Sequence, residues 1–309
     1  MSRVSDRLNR LSYSQTFVMS NKARDMKAAG IDVISLTLGE PDFDVPDNIK
    51  KAAFDAINEN YSHYSPVPGF LELRKAIVNK LKRDNNLEYK PTQICVANGA
   101  KQNIFNVLAA LVNEGDEVIL PAPYWVSYDE MVKINGGVSV FIETNIDTEF
   151  KMTAEQLEAA ITPKTKAVLY SSPCNPSGSY YTREELEKIA NVMAKYPDVV
   201  IISDEIYEFI NYDGEHVSIA EFPQVFNQTA VINGMSKAFA MTGWRIGYSA
   251  CPQWLADACD KLQGQVTSGA NTVAQRASIV GLETDPKDYY YMVESFEKRR
   301  NLVYELLKE

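Results

Sequence analysis

From about residue 93 onward the chain alternates short β-branched, apolar runs with segments of helical period. The runs are QICVA, EVILPAP, VSVFIE, KAVLYSS, DVVIIS, TAVING and RIGYSA, and between them lie segments such as KQNIFNVLAALVNEG and TREELEKIANVMAKY. Strands separated by helices can run the same way in one sheet, so the pattern predicts an α/β fold with a mostly parallel sheet. Such a sheet gathers the loops that follow its strands along one edge, and ligands bind there. The positions of interest are therefore NGAKQ (98–102), PAPYW (121–125), SPCNPSG (172–178), DEIY (204–207) and NGMSK (233–237). Several are rich in Gly, Pro and Asn, as turns require.

The bulk properties narrow the partners. A chain of 309 residues that is 45% hydrophobic can fill one large domain and part of another. The net charge of −10, from 31 basic and 41 acidic residues with no basic block, argues against nucleic acid or an anionic membrane as partner. Cys95, Cys174, Cys251 and Cys259 form no CxxC pair, and His63 and His216 stand at no ligand spacing from them, so no metal site is expected. The cysteines read as reduced, buried thiols of a cytoplasmic protein. The start, MSRVSDRLNRLSYSQ, lacks an apolar h-region, and no run of about 18 apolar residues occurs, so neither secretion nor membrane insertion is expected. From about 285 the pattern is helical and reaches EKRRNLVYELLKE without a C-cap signal, which suggests a chain cut short in mid-helix.

The stretch NGMSKAFAMTGWRIGY (233–248) sets Lys237 in apolar surroundings, with Arg245 eight positions on. Taken alone, Lys237 reads as a lysine that bends its ammonium out to water. Its place after the strand-like TAVIN, in a loop facing the ligand crevice, makes it a candidate Schiff-base nucleophile once its pKa falls from about 10.4. Arg245 offers a permanently charged planar fork, suited to a phosphate or carboxylate or else to a structural acid. In NGAKQ, small Gly99 and Ala100 open a helix after a strand and let backbone N–H groups approach an anion. Asp204 emerges at the end of DVVIIS, where a carboxylate can hold a heteroaromatic N–H; Glu205 beside it reads as a solvated loop acid. Together these groups meet the requirements of pyridoxal phosphate.

The sequence also resembles a known family. GMSKAFAMTGWRIG is similar to the cofactor-attachment motif of the fold type I, class I aminotransferases. The likeness continues through LGEPDFDVP, YSPVPGFLELRKAI, GAKQNIFN, PYWVSY, SPCNPSG and SDEIYE, in the family's order, and is strongest to the bacterial aspartate aminotransferases. The resemblance implies a cofactor-binding large domain over 46–284. It also implies an N-terminal arm with part of a small α+β domain over 1–45, and the start of an incomplete C-terminal small domain over 285–309. It implies pyridoxal 5′-phosphate joined to Lys237 as a Schiff base, with Asp204 on the pyridine nitrogen, Tyr207 and Asn175 on the phenolic oxygen, and Trp125 stacked on the ring. Gly99, Ala100, Ser236 and Arg245 would surround the phosphate, and Tyr64 would reach the phosphate of a partner subunit, which makes the expected protein a homodimer. Gly39 would approach the substrate carboxylate with its backbone, and Trp125 and Asn175 would border the substrate too. The implied reaction passes an amino group from an amino acid to a 2-oxo acid by ping-pong kinetics, with the freed Lys237 amine as general base.

For the substrate, the resemblance assigns Lys101 to a distal carboxylate, with Ser14 and Thr16 as hydroxyl donors, which favours aspartate or glutamate. A cation in the first turn of a helix opposes the helix dipole and needs such a reason. Related enzymes that accept prephenate carry a lysine two positions before the SxT serine, where this chain has Ser12, so prephenate is not expected. The family's arginine for the substrate α-carboxylate falls beyond residue 309, and Arg276, Arg299 and Arg300 lie in no matching motif. A chain ending there is expected to bind cofactor but transaminate poorly. Another class I specificity or a C–S lyase would share the same cofactor shell. An inactive, cofactor-binding sensor would need a DNA-binding module for which the short N-terminus leaves no room, and a Ser236–Lys237 hydrolase lacks a GxSxG turn.

Overall fold

The computed structural model describes residues 3–214 and 216–308. The seven runs form seven strands: β1 (Ile94–Ala97), β2 (Glu117–Ala122), β3 (Val138–Glu143), β4 (Thr165–Ser171), β5 (Val200–Asp204), β6 (Thr229–Gly234) and β7 (Gly247–Ala250). They make one sheet in the order β1-β7-β6-β5-β4-β2-β3. All pairings are parallel except those of β7, which runs antiparallel to both β1 and β6. Residues 235–246 between β6 and β7 hold only the short Met235–Ala238 helix and a 3-10 turn, so the chain turns back beside β6 instead of crossing over. The expected α/β fold with a mostly parallel sheet is thus formed.

The reversed strand matters for function. It brings its beginning to the edge where its neighbours end. The ends of β1, β2, β4, β5 and β6 and the start of β7 therefore share one edge, and the loops carrying Gly99, Trp125, Asn175, Tyr207, Lys237 and Arg245 converge there.

Alternation along the strands divides the core between two faces. Val118, Leu120, Leu169, Val200, Ile202 and Ile232 face one side, covered by the helices Ala100–Leu111, Ser127–Ile134 and Gln253–Val266. Ile119, Val168 and Ile201 face the other, against Ala154–Ala160 and Arg183–Met193. Toward β1 and β7 that second face is covered by the helices Leu71–Asn85 and Thr272–Glu283, which pack with Val96, Val231 and Tyr248. In this phase Asp204 falls with Val200 and Ile202, and Ser203 falls with Ile201. At the chain's two ends burial is slight: the Gln15–Ala28 helix buries no residue, and the Tyr290–Leu307 helix buries only Met292. No helix among the described residues is long and apolar enough to cross a membrane. Cys95, Cys251 and Cys259 are buried free thiols, whereas Cys174 is free but only half-buried, because it sits in the loop after β4 and not inside the sheet.

Candidate active site

Lys237 rises from the Met235–Ala238 turn directly after β6 and is half-buried. Its Nζ donates to the Gly39 carbonyl at 2.5 Å and lies 5.6 Å from the centre of the Tyr207 ring. Burial pushes its pKa down; Glu40 opposes this, Arg245 reinforces it, Asp204 opposes it, and the net shift is downward. A lysine so placed holds its amine available for attack on a carbonyl.

Asp204, the last residue of β5, is 4% exposed. The Tyr128 hydroxyl donates to its Oδ2 at 2.6 Å and the Ile206 amide to its Oδ1 at 3.2 Å. Burial raises the carboxyl to about 6 against the pull of these two hydrogen bonds. No ion pair to it exists among the described residues, and a buried carboxylate in that condition is suited to receive a cationic N–H from a ligand. Next along the turn, the Tyr207 hydroxyl accepts from Asn175 Nδ2 at 3.4 Å, and burial pushes the phenol up to about 12, so it stays a donor.

The anion end is built from backbone. Gly99 caps the helix Ala100–Leu111 at φ +86°, and a Cβ there would run into the Arg245 guanidinium. Gly247 is needed for the same approach, since a Cβ on it would strike the Gly99 and Ala100 backbone. Arg245, itself at φ +56°, donates from Nη1 to Thr242 O at 2.8 Å and from Nη2 to Asn98 O at 3.2 Å. Its fork is therefore aimed by carbonyls and not neutralised by an acid among the described residues. Left-handed backbone at a residue other than glycine collects at ligand sites. Ser236 is buried in the same turn as Lys237, and the first N–H groups of the Ala100–Leu111 helix, beside the Arg245 fork, have the chemistry to receive an anion.

Lys101 lies one position into that helix, with Nζ 4.8 Å from the Trp125 ring centre and 5.8 Å from the Phe17 ring centre. Burial lowers its pKa and Arg245 adds to the effect. Ser14 is the N-cap of the Gln15–Ala28 helix and Thr16 stands in its first turn, so Phe17 brings the SxT segment beside Lys101 from a distant part of the chain. Trp125 meets Tyr128 edge to face at 5.5 Å.

Lys237, Asp204, Tyr207, Asn175, Gly99, Ala100, Ser236, Arg245, Trp125 and Lys101 thus lie along the one edge. Gly39 joins them through its carbonyl, although open space surrounds its missing side chain. Tyr64 is 97% exposed and is not brought to this site by its own chain. Arg276 lies over Tyr61, Arg299 pairs with Asp42, and Arg300 lies by Glu297 and over Tyr212. Sequence reasoning missed Tyr128, whose only signal is its spacing three after Trp125 at the start of a helix. It also missed Glu40, which accepts from Thr242 Oγ1, and the Asn98 and Thr242 carbonyls, which carry no side-chain signal. Glu205 is no solvated loop acid: it is 1% exposed and bonded to Ser203 and Ser218, because its side chain turns under the sheet edge.

The Aminotransferase class I and II family matches residues 31–309. The chain is 48% identical over 311 residues to the probable aspartate/prephenate aminotransferase of Rhizobium leguminosarum bv. phaseoli, covering all of this chain (100%) and 78% of that protein. It is 48% identical to the aspartate aminotransferase of Bacillus sp. strain YM-2, over 97% of this chain and 77% of the relative. Among solved structures, the aspartate aminotransferase of Thermus thermophilus with maleate superposes at TM-score 0.96 and 40% identity, over 100% of this chain and 81% of that one. The chain belongs to the class I and II aminotransferases. Its fold is the aminotransferase fold type I, its cofactor is pyridoxal 5′-phosphate, and its reaction passes an amino group between an amino acid and a 2-oxo acid. The residues of this aminotransferase fit that cofactor. A Cβ on Gly99 would fill the cradle beside Arg245, and the buried Asp204 carboxyl has no ion-pair partner among the described residues.

Proposed function

We infer that the protein is an aspartate-type aminotransferase that works through Lys237 and takes a dicarboxylic substrate. The observation that carries the substrate class is Lys101, held over Trp125 beside the segment of Ser14, Thr16 and Phe17, with no acid among the described residues to pair with it. A cation poised in that way, partly desolvated, suits a distal carboxylate. The Rhizobium and Bacillus relatives carry aspartate in their names, and the Thermus structure is named with maleate, itself a dicarboxylate.

When bound, pyridoxal phosphate supplies an electron-withdrawing ring that makes the substrate α-carbon acidic. In this reading Asp204 holds the ring N–H, with Tyr128 fixing the carboxylate. Tyr207 and Asn175 hold the phenolic oxygen, and Trp125 lies against the ring. Arg245, Ser236, Gly99 and Ala100 hold the phosphate. Lys237, its pKa lowered, takes the proton from the substrate α-carbon and returns it on the product side. Gly39 lies where its backbone meets the substrate carboxylate. The large domain 46–284 carries all of these groups but Gly39, which comes from 1–45, the N-terminal arm with part of the small domain; 285–309 begins the C-terminal small domain. The proposed active unit is a homodimer, supported by the exposed Tyr64 that the resemblance assigns to a partner's phosphate. A cytoplasmic location is inferred from the four free thiols.

The test compares aspartate and phenylalanine as amino donors to 2-oxoglutarate in wild type and Lys101→Met. Loss of a charged hydrogen bond worth about 1.5–3 kcal/mol lowers kcat/KM for aspartate about 10- to 150-fold and spares phenylalanine. Equal losses for both donors would refute the distal-carboxylate role. Prephenate as acceptor in the same assay probes the second activity in the Rhizobium relative's name, against which Ser12 argues.

A further inference from the structure

Beneath the Asp204–Tyr207 turn lies a second set of charges that the reaction does not use. Lys80, 1% exposed, is ion-paired with Glu208 and donates to Asn85 Oδ1 at 2.7 Å, while Asn85 Nδ2 donates to Glu208 Oε2 at 3.0 Å. Glu205, 1% exposed, accepts from Ser203 Oγ at 2.8 Å and Ser218 Oγ at 2.7 Å, and its Oε2 stands 3.0 Å from His216 Nε2. Ligand atoms of Glu205, Glu208 and His216 lie within 4.8 Å of one another, a spacing that would suit a metal, but the Lys80 ammonium already supplies a cation there.

The cluster and the cofactor share one turn. Asp204 and Tyr207 reach toward the site, and Glu205 and Glu208, one residue further on in each case, reach into the cluster. The Glu205 amide donates to Ile232 O at 2.8 Å and the Glu208 amide to Glu205 O at 3.0 Å, so the turn is tied down from both its backbone and its side chains. Lys80 is paired with one buried carboxylate, Glu208, while a second, Glu205, lies close to Glu208 and His216, and an unbalanced buried charge is strongly unfavourable. The set is neutral only when His216 carries a proton. Arg83 and Asp84, on the same helix as Lys80, pair with each other, and the phenols of Tyr89, Tyr170 and Tyr248 that face Glu205 or Glu208 are kept neutral by burial.

We propose that this cluster is the footing of the Asp204–Tyr207 turn and that His216 is its positioning residue, whose proton balances Glu205 and thereby keeps Asp204 a well-placed anion for the cofactor's ring N–H. The inference rests on the assignment of Asp204 to that N–H. Burial alone would push the His216 imidazole down, but the charge and hydrogen bond of Glu205, with Glu208 behind it, outweigh burial and raise it above 6.5. Glu205 in turn pushes Asp204 up, so its neutralisation favours the Asp204 carboxylate. A raised histidine contributes stability that is full below 6.5 and is lost as pH climbs through its raised value.

The experiment uses protein labelled with carbon-13 in its two histidines, His63 and His216. In cofactor-free protein, the resonance missing from His216→Gln is expected to titrate above 6.5. The dissociation constant for pyridoxal phosphate is then measured at acid and alkaline pH. At pH near 6, below the His216 midpoint, His216→Gln is expected to bind about tenfold more weakly than wild type, and the two converge above that midpoint. If His216→Gln fails to fold, the double variant His216→Gln with Glu205→Gln, which keeps the cluster neutral, is expected to fold. Its affinity should lack the step that wild type shows across the His216 midpoint. A His216 midpoint at or below 6.5, or a variant-to-wild-type affinity ratio indifferent to pH, overturns the proposal; so does a double variant that keeps the wild-type step. Wild type that binds no pyridoxal phosphate would sink the Asp204 assignment and this proposal's link to it, while the titration of the cofactor-free protein still decides whether His216 carries the proton.

Discussion

Lys80 and Lys237 sit on opposite sides of the same turn, and both are withdrawn from water, yet their charges are treated in opposite ways. Lys80 is 1% exposed and has a carboxylate and an amide oxygen for partners; among the described residues the Lys237 amine hydrogen-bonds only to the carbonyl of Gly39. Their neighbouring acids differ in the same sense. Burial raises the Glu208 carboxyl, but Lys80 and His216 outweigh it and hold it below the usual range, whereas Asp204 is pushed up to about 6. Where charges are matched inside the protein they stabilise a fixed shape. Where a lysine, an arginine and an acid stand along one edge without each other, the missing partner is a ligand.

The largest expected effect separates the two lysines. Lys237→Ala lowers turnover by more than about 10³-fold while leaving the thermal midpoint nearly unchanged. Lys80→Met costs about 3–5 kcal/mol of stability by stranding Glu208, seen in thermal or urea unfolding, while the folded fraction, once saturated with cofactor, keeps turnover within about tenfold of wild type. A Lys80→Met protein as stable as wild type would erase the contrast.

The two acids give a contrast in sign. Because Asp204 is raised from 3.8 to about 6, the folded cofactor-free protein bears a penalty that is full above pH 6 and vanishes below 3.8. Asp204→Asn in the cofactor-free protein therefore gains stability on the order of 3 kcal/mol at pH 8, and the gain shrinks as the pH falls through 6. Glu208→Gln, the same chemical change, loses stability at pH 8, since a lowered carboxyl contributes above its ordinary value of 4.5 and loses that contribution only as pH falls through the lowered one. Urea unfolding at pH 8 and pH 5 reads both. The smallest effect is that of Tyr128→Phe. Removing the hydroxyl at 2.6 Å raises the Asp204 carboxyl further and weakens cofactor binding about tenfold or less, measurable by absorbance titration.

The strands were legible because both faces of the sheet are covered, which writes each one as a nearly unbroken apolar run bounded by turn residues. Lys237, Asp204 and Arg245 were legible for a related reason: each stands where such a run ends or begins, and there a charge has no apolar excuse. Tyr128 was hidden because an aromatic in PYWVSY is equally good core, and only the packing of the Ser127–Ile134 helix aims its hydroxyl at Asp204. Glu205 was misread because its partners, His216 and Ser218, follow an intervening loop, and the adjoining Glu208 takes its cation, Lys80, from a helix far earlier in the chain. The carbonyls that hold Lys237 and Arg245 belong to Gly39, Asn98 and Thr242, and a backbone oxygen leaves no mark in composition.

The central claim is that, of the two lysines flanking the Asp204–Tyr207 turn, Lys237, whose amine is paired with no acid among the described residues, is the one that reacts. Borohydride reduction of the protein with pyridoxal phosphate, followed by proteolysis and mass spectrometry, reads it directly. The predicted result is one cofactor-modified peptide, carrying Lys237. Stoichiometric modification at Lys101 or Lys80, or modification spread over surface lysines with Lys237 untouched, would contradict it.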